Sequence, residues 1–97
     1  MRRIVFAPSF EQEAEEIGVY IEERFGLPAK QEFVAELSKT CERIASLPHI
    51  GTPHHRYETA SVGFVFDQNW IFFDYDDQNV HFLHIVGTKR DRQHRAP

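Results

Sequence analysis

Six histidines in a 97-residue chain are the first residues to weigh for chemistry. They include the loop pair His54-His55 and the spaced pair His81-x-x-His84. Neighbouring loop histidines can share a metal only if the loop bends to suit. Residues three apart on a regular strand point to opposite faces, so His81 and His84 should not meet on one ion. The reading that follows is a core or interface His84 satisfied by a neighbour, with His81 on the other side of its strand and no metal. Three carboxylates, Asp74, Asp76 and Asp77, come next. Asp76 and Asp77 sit where a turn is expected, and aspartate favours turns because its side chain bonds nearby backbone. Asp74 interrupts an aromatic run and should share a face with Trp70 and Phe72. A carboxylate there could serve as a general acid or base, but a satisfied polar residue near a strand end is the simpler reading. The last cluster is Thr88-Lys89-Arg90-Asp91-Arg92, whose arginines could clamp a phosphate or carboxylate in bidentate fashion.

Other catalytic patterns are missing from the sequence. Gly51 and Gly63 are isolated, so no glycine-rich phosphate loop is formed, and no Ser/His/Asp or Cys/His arrangement stands out. No cofactor is expected. Cys41, the single cysteine, excludes an internal disulfide framework. Its place on a helix's apolar face predicts a buried structural thiol.

The elements that must position these residues can be read from the apolar pattern. The stretch 64–91 contains three aromatic and β-branched runs separated by Asp67-Gln68-Asn69 and Asp76-Asp77-Gln78-Asn79, the pattern of an antiparallel meander. The runs are apolar at odd and even positions alike, so the sheet should have two apolar faces. A further strand is expected over 3–7, ended by Pro8, and another over 57–66. Ser9 is expected to cap a first helix with Gln12 completing a capping box. Phe10, Ala14, Ile17, Ile21 and Phe25 then form one apolar stripe. Gly26 should stop that helix, and Leu27-Pro28 should start a second. The second helix shows Phe33, Val34, Leu37, Cys41, Ile44 and Ala45 on one face. The order β-α-α-β-β-β indicates an α+β fold, with a helical hairpin packed on one face of a small, mainly antiparallel sheet. The sheet's other apolar face should need a partner.

Size and charge bound the function. The chain should make one domain over residues 1–97, with 88–97 a basic tail. No apolar run approaches the ~20 residues needed to span a bilayer, so no membrane role is expected and the cytoplasm is the default location. The net charge of −4 argues against direct nucleic-acid binding, which rests on phosphate attraction.

Several local motifs together resemble the ParE/RelE toxin superfamily of bacterial type II toxin–antitoxin systems, and the ParE branch more closely. The pieces are an opening strand leading to Ser9, an acidic helix holding Ile17-Gly18-Val19-Tyr20-Ile21, and the joint Gly26-Leu27-Pro28-Ala29. Ile44-Ala45-Ser46-Leu47-Pro48-His49-Ile50-Gly51 closes the second helix, and the final strand ends Ile85-Val86-Gly87-Thr88-Lys89-Arg90-Asp91. The resemblance implies a toxin neutralised by a small antitoxin encoded beside it, which would cover exposed apolar surface. ParE-like members poison DNA gyrase, whereas RelE-like members cut mRNA on the ribosome with basic residues and a tyrosine. Counted back from Lys89-Arg90-Asp91, the places expected to be basic hold Val62, Val65 and Trp70, and no tyrosine follows Arg90. Only Arg90, Lys89 and Arg56 would remain for a nuclease. The resemblance therefore implies a binding inhibitor rather than an enzyme. Trp70, Phe72, Asp74, His84, Lys89, Arg90 and Arg92 are the expected target- or antitoxin-contacting residues. The alternatives are a ribosome-dependent mRNA endonuclease and a non-toxic module that only binds an antitoxin.

Overall fold

The computed structural model of the chain describes residues 1–53 and 62–87. Strand β1 (Arg3–Phe6) leads into helix α1 (Pro8–Phe25) and helix α2 (Leu27–Ser46). A 3-10 turn over Pro48–Ile50 follows, then β2 (Thr52–Pro53), β3 (Val62–Phe66), β4 (Asn69–Tyr75) and β5 (Asn79–Gly87). The expected order is found, with the two-residue β2 added. The five strands form one sheet in the order β1-β5-β4-β3-β2. Only the β1–β5 pair is parallel.

Both helices pack on one face of this sheet. Phe10 of α1 and Phe33, Leu37, Cys41, Ile44 and Ala45 of α2 meet Ile71, Phe73, Val80, Phe82 and Ile85 in one buried cluster. Gly26 alone joins the helices. Its φ of 95° lies in the region that L side chains avoid, so the abrupt reversal depends on glycine. Two expected core residues are exposed instead: Phe25 at the end of α1 (71%) and Val34 on α2 (51%). Phe25 lies on the last turn at the far end of the hairpin, whereas Val34, between the buried Phe33 and Leu37, falls on the flank of α2 that turns away from the sheet.

The start of α1 also corrects the capping reading. Pro8 occupies the first turn, where a missing N–H costs nothing, and the extended Ala7 is the N-cap residue. No side chain caps this end. Ser9 lies inside the helix, where its hydroxyl donates to the carbonyl of Leu83 at 2.7 Å.

Gly51 closes the Leu-Pro-x-x-Gly segment against the sheet. A Cβ there would run into Val62 Cγ1 and come within 3.0 Å of the Gly63 carbonyl oxygen. Gly51→Ala is therefore expected to destabilise the protein by about 1–3 kcal/mol, the usual cost of overpacking, which chemical denaturation would measure. Cys41 is 1% exposed, and burial, with a smaller contribution from Glu42, pushes its thiol up to about 12. Alkylation of the native protein by iodoacetamide near neutral pH should thus be negligible and become rapid in denaturant. Fast labelling of the folded protein would contradict the buried assignment.

Candidate functional site

The two faces of the sheet separate cleanly along β4. Ile71 and Phe73 point into the helix-covered core, while Trp70, Phe72 and Asp74 alternate onto the opposite face. The expected sharing of one face by these three residues is therefore found. Opposite them stand Gly63 and Val65 of β3. The Trp70 and Phe72 rings stack at 5.9 Å with planes 15° apart. Gly63 makes room for them, since a Cβ there would meet Trp70 at 3.2 Å and Phe72 at 3.3 Å. Phe72 is buried and braces the indole, while Trp70 and Asp74 are half-buried and Val65 is 52% exposed. Val5 of β1 is also exposed, and it pairs with His81 on β5.

A one-residue bulge in β5 sets the histidines. Phe72 pairs with His84 and Phe73 with Phe82, leaving Leu83 as the extra residue. The bulge overturns the expectation for the spaced histidines. His81 pairs with Asp74 and His84 with Phe72, and these partners lie two apart on β4. His81 and His84 therefore share the face away from the helices. Among the described residues no group of three metal-ligating side chains is assembled there or elsewhere.

The same bulge explains residues that the sequence reading missed. β1 ends at Phe6, and Ala7 makes the last edge bond by donating its N–H to the Phe82 carbonyl at 2.9 Å. Beyond that point the edge of β5 would be unpaired. Helix α1 takes over: Ser9 donates to the Leu83 carbonyl, and the Ile85 N–H donates to Glu13 Oε1 at 3.1 Å. Ser9 and Glu13 are four apart and so lie on one helix face. The same carboxylate lies 3.2 and 3.3 Å from His84 Nδ1. A carboxylate oxygen can only accept, so Nδ1 carries the hydrogen in this contact. His84 is thus satisfied by a neighbour, as expected. Glu13, one of several glutamates in the first turns of α1, is an inward-reaching clamp. The one sequence signal for it is the apolar set of β5, which runs Val80, Phe82 and then Ile85, a step of three that a regular strand does not make.

At the other end of β4, Asp76 organises the turn into β5. Its carboxylate accepts the N–H groups of Gln78 and Asn79, each at 2.8 Å. These bonds, chiefly that from Gln78, hold its carboxyl below the usual carboxylate range. Arg2 reaches the Asp76 carbonyl with Nε at 2.6 Å and lies over the Tyr75 ring at 5.4 Å, tying the N-terminus to this turn. Asp76 thus behaves as the turn residue it was expected to be. Arg56, Lys89, Arg90 and Arg92 lie outside the described residues.

The described part of this surface can bind. It offers a flat indole, exposed valines and two histidines opposite an aspartate and a phenylalanine. No helix of the described chain is long and apolar enough to cross a membrane.

Comparison with known proteins agrees with this architecture. No curated protein matches the chain. A solved structure described as "Chromosomal ParDE TA system from P. aeruginosa" matches with a TM-score of 0.74 over 90% of this chain and 96% of that one. At 9% identity this likeness speaks to the fold. A family model described as "ParE toxin of type II toxin-antitoxin system, parDE" matches residues 4–92. With that match running from β1 through the meander and beyond it, the chain belongs to the ParE toxin family of type II toxin–antitoxin systems.

Proposed function

We propose that this toxin inhibits growth by binding DNA gyrase, and that a cognate antitoxin neutralises it by covering the sheet face opposite the helices. The observation that carries the reading is the composition of that face. Among the described residues, Trp70, Val65, Val5 and Val86 form an apolar patch there, with Asp74, His81 and His84 beside it and Arg3 and Asn79 at its β1 end. Flat aromatic anchors braced by a neighbour, here Trp70 on Phe72, are what binding hot spots are made of. Phosphodiester cleavage would instead need cations and proton-transfer groups around the scissile bond. Val62 and Val65 on β3 and Trp70 on β4 supply none. Residues 1–97 act in this reading as one toxin domain in the cytoplasm, with Lys89, Arg90 and Arg92 contributing contacts to the target.

The target class is tested by inducing the protein in a bacterial host while mapping mRNA 5′ ends and following a DNA-damage reporter. The binding reading expects the damage response with messages intact. Cleavage of ribosome-bound messages, abolished by Arg90→Ala, would establish the endonuclease in its place. Stable co-purification with an antitoxin and no growth phenotype would instead leave a non-toxic binding module.

A further inference from the structure

Among the described residues, β1 forms one outer edge of the sheet, with β5 on its inner side only. Arg3 and Ala7 donate their N–H groups inward, to the carbonyls of Gln78 at 2.8 Å and Phe82 at 2.9 Å. Strand residues alternate in this respect, so Val5 also bonds toward β5, while Ile4 and Phe6 turn their N–H and carbonyl groups outward. The side chains of this edge are incompletely covered too. Phe6 stacks on Phe10 at 5.4 Å and on Phe82 at 5.5 Å yet remains 42% exposed, and Val5 on the other face is 39% exposed. Sheet edges are normally guarded by charge, proline or a bulge. The opposite edge is guarded in this way, since β2 has two residues and the second is Pro53. Between Arg3 and Pro8, by contrast, β1 offers only Ile4, Val5, Phe6 and Ala7.

We infer that this edge pairs with a second copy of the chain, β1 against β1, antiparallel about a two-fold axis through Val5. The register follows from which groups are open. Centred on Val5, Ile4 of each copy stands opposite Phe6 of the other, and each such pair exchanges both of its N–H to carbonyl bonds. Centring on Phe6 would set Ile4 against Pro8, which has no N–H to give. Centring on Ile4 would set Phe6 against Arg2, whose N–H is already given to the Ala45 carbonyl at 3.3 Å. The side chains agree with the Val5 register. The two valines meet as a close non-hydrogen-bonded pair, and Ile4 of one copy covers the open flank of Phe6 on the other. Arg3 falls opposite Ala7, so the arginines of the two copies stand at opposite ends of the contact and do not face each other. The pairing is isologous and closes on itself, so it stops at a dimer. Four-residue strands bury far less than the ~1,600 Å² of a standard stable interface, which makes this dimer a transient one. The inference goes beyond the toxin reading. It rests on the strand's edge and not on the Trp70 face, so either can fail without the other.

The test follows the full chain alone by sedimentation velocity and amide hydrogen exchange as its concentration is raised. Between about 10 µM and about 1 mM the mean mass should climb from that of one chain toward twice that value. Over the same range exchange should slow several-fold at the Ile4 and Phe6 amides, while Arg3 and Val5, already bonded to β5, keep their rates. Val5→Lys sets two ammonium groups against each other and should weaken association roughly tenfold or more. The fold should survive this change because Val5 is exposed, and an unchanged melting temperature checks that. Val5→Cys brings two thiols to a spacing that a disulfide spans, so mild oxidation should give a covalent dimer, with Cys41 buried and inert. Arg3→Cys puts the two thiols roughly 13 Å apart and should not cross-link. A chain that stays monomeric at the highest concentration, or association undiminished by Val5→Lys, would overturn the inference. So would cross-linking of Arg3→Cys as readily as of Val5→Cys, since the register would then be wrong. Protection of Ile4 and Phe6 that appears only when an antitoxin is present would give the edge to that partner and overturn it too.

Discussion

Phe82→Ala is expected to cost about 3–5 kcal/mol, the range for truncating a fully buried phenylalanine. Phe82 is wholly buried at the point where three elements converge. Its ring lies 5.5 Å from Phe6 on β1, 5.6 Å from Phe10 on α1 and 5.9 Å from Phe73 on β4. The cavity left by alanine is bounded on several sides by rings held on separate backbones, so collapse can fill only part of it. Domains of this size have a total stability of roughly 5–15 kcal/mol, so the loss is a large fraction of the whole. The melting temperature should fall by about 15 °C or more. Urea titration should show a lower midpoint with an unchanged slope. Val65→Ala on the exposed sheet face should stay within about 0.5 kcal/mol of the parent, which separates core loss from a general effect of truncating strand residues. A Phe82→Ala protein as stable as the parent would mean that the ring cluster is not the centre of the core.

Glu13→Ala should cost about 1–3 kcal/mol, because it strips a partly buried N–H of its acceptor. The Ile85 N–H and His84 Nδ1 both depend on that carboxylate, and β1 stops too early to replace it. Glu13→Gln keeps one acceptor oxygen and should cost clearly less than alanine. Ser9→Ala should cost about 1 kcal/mol by freeing the Leu83 carbonyl. The local signature is hydrogen exchange at the Ile85 amide, which should speed up in Glu13→Ala beyond what the global change in stability explains. Unchanged exchange at Ile85 would dismiss the clamp.

How far the sequence foretold these features depends on the kind of signal. The helices and their joint were legible, because Phe10, Ile17 and Ile21, and Phe33, Leu37, Cys41 and Ile44, repeat at helical spacing and Gly26-Leu27-Pro28 leaves one way to turn. The meander was legible from its two polar turns, and the alternation on β4 correctly grouped Trp70, Phe72 and Asp74. What failed was local. Ser9 has the residue type of a cap, but Pro8 before it already marks the first helical position. A regular strand would put His81 and His84 on opposite faces, but the step from Phe82 to Ile85 carries the mark of a bulge. Glu13 stood among Glu11, Glu15 and Glu16, and nothing in composition distinguishes the one that reaches a strand edge. Phe25 and Val34 continue apolar stripes whose periodicity gives no hint that the first lies at the hairpin's far end and the second on the flank turned from the sheet. Period reveals which residues lie together, and only the register of strands shows where that pattern slips.

The proposed toxicity of this ParE-family chain, and its silencing by an antitoxin on the exposed sheet face, can be tested together. The most direct measurement is growth of a bacterial host after inducing the chain alone, and then together with the small reading frame encoded beside it. Growth should arrest in the first culture and be normal in the second, with hydrogen exchange in the purified pair slowed across β3, β4 and β5. Undisturbed growth with the chain alone, at expression levels confirmed by folded protein in the lysate, would contradict the proposed toxicity.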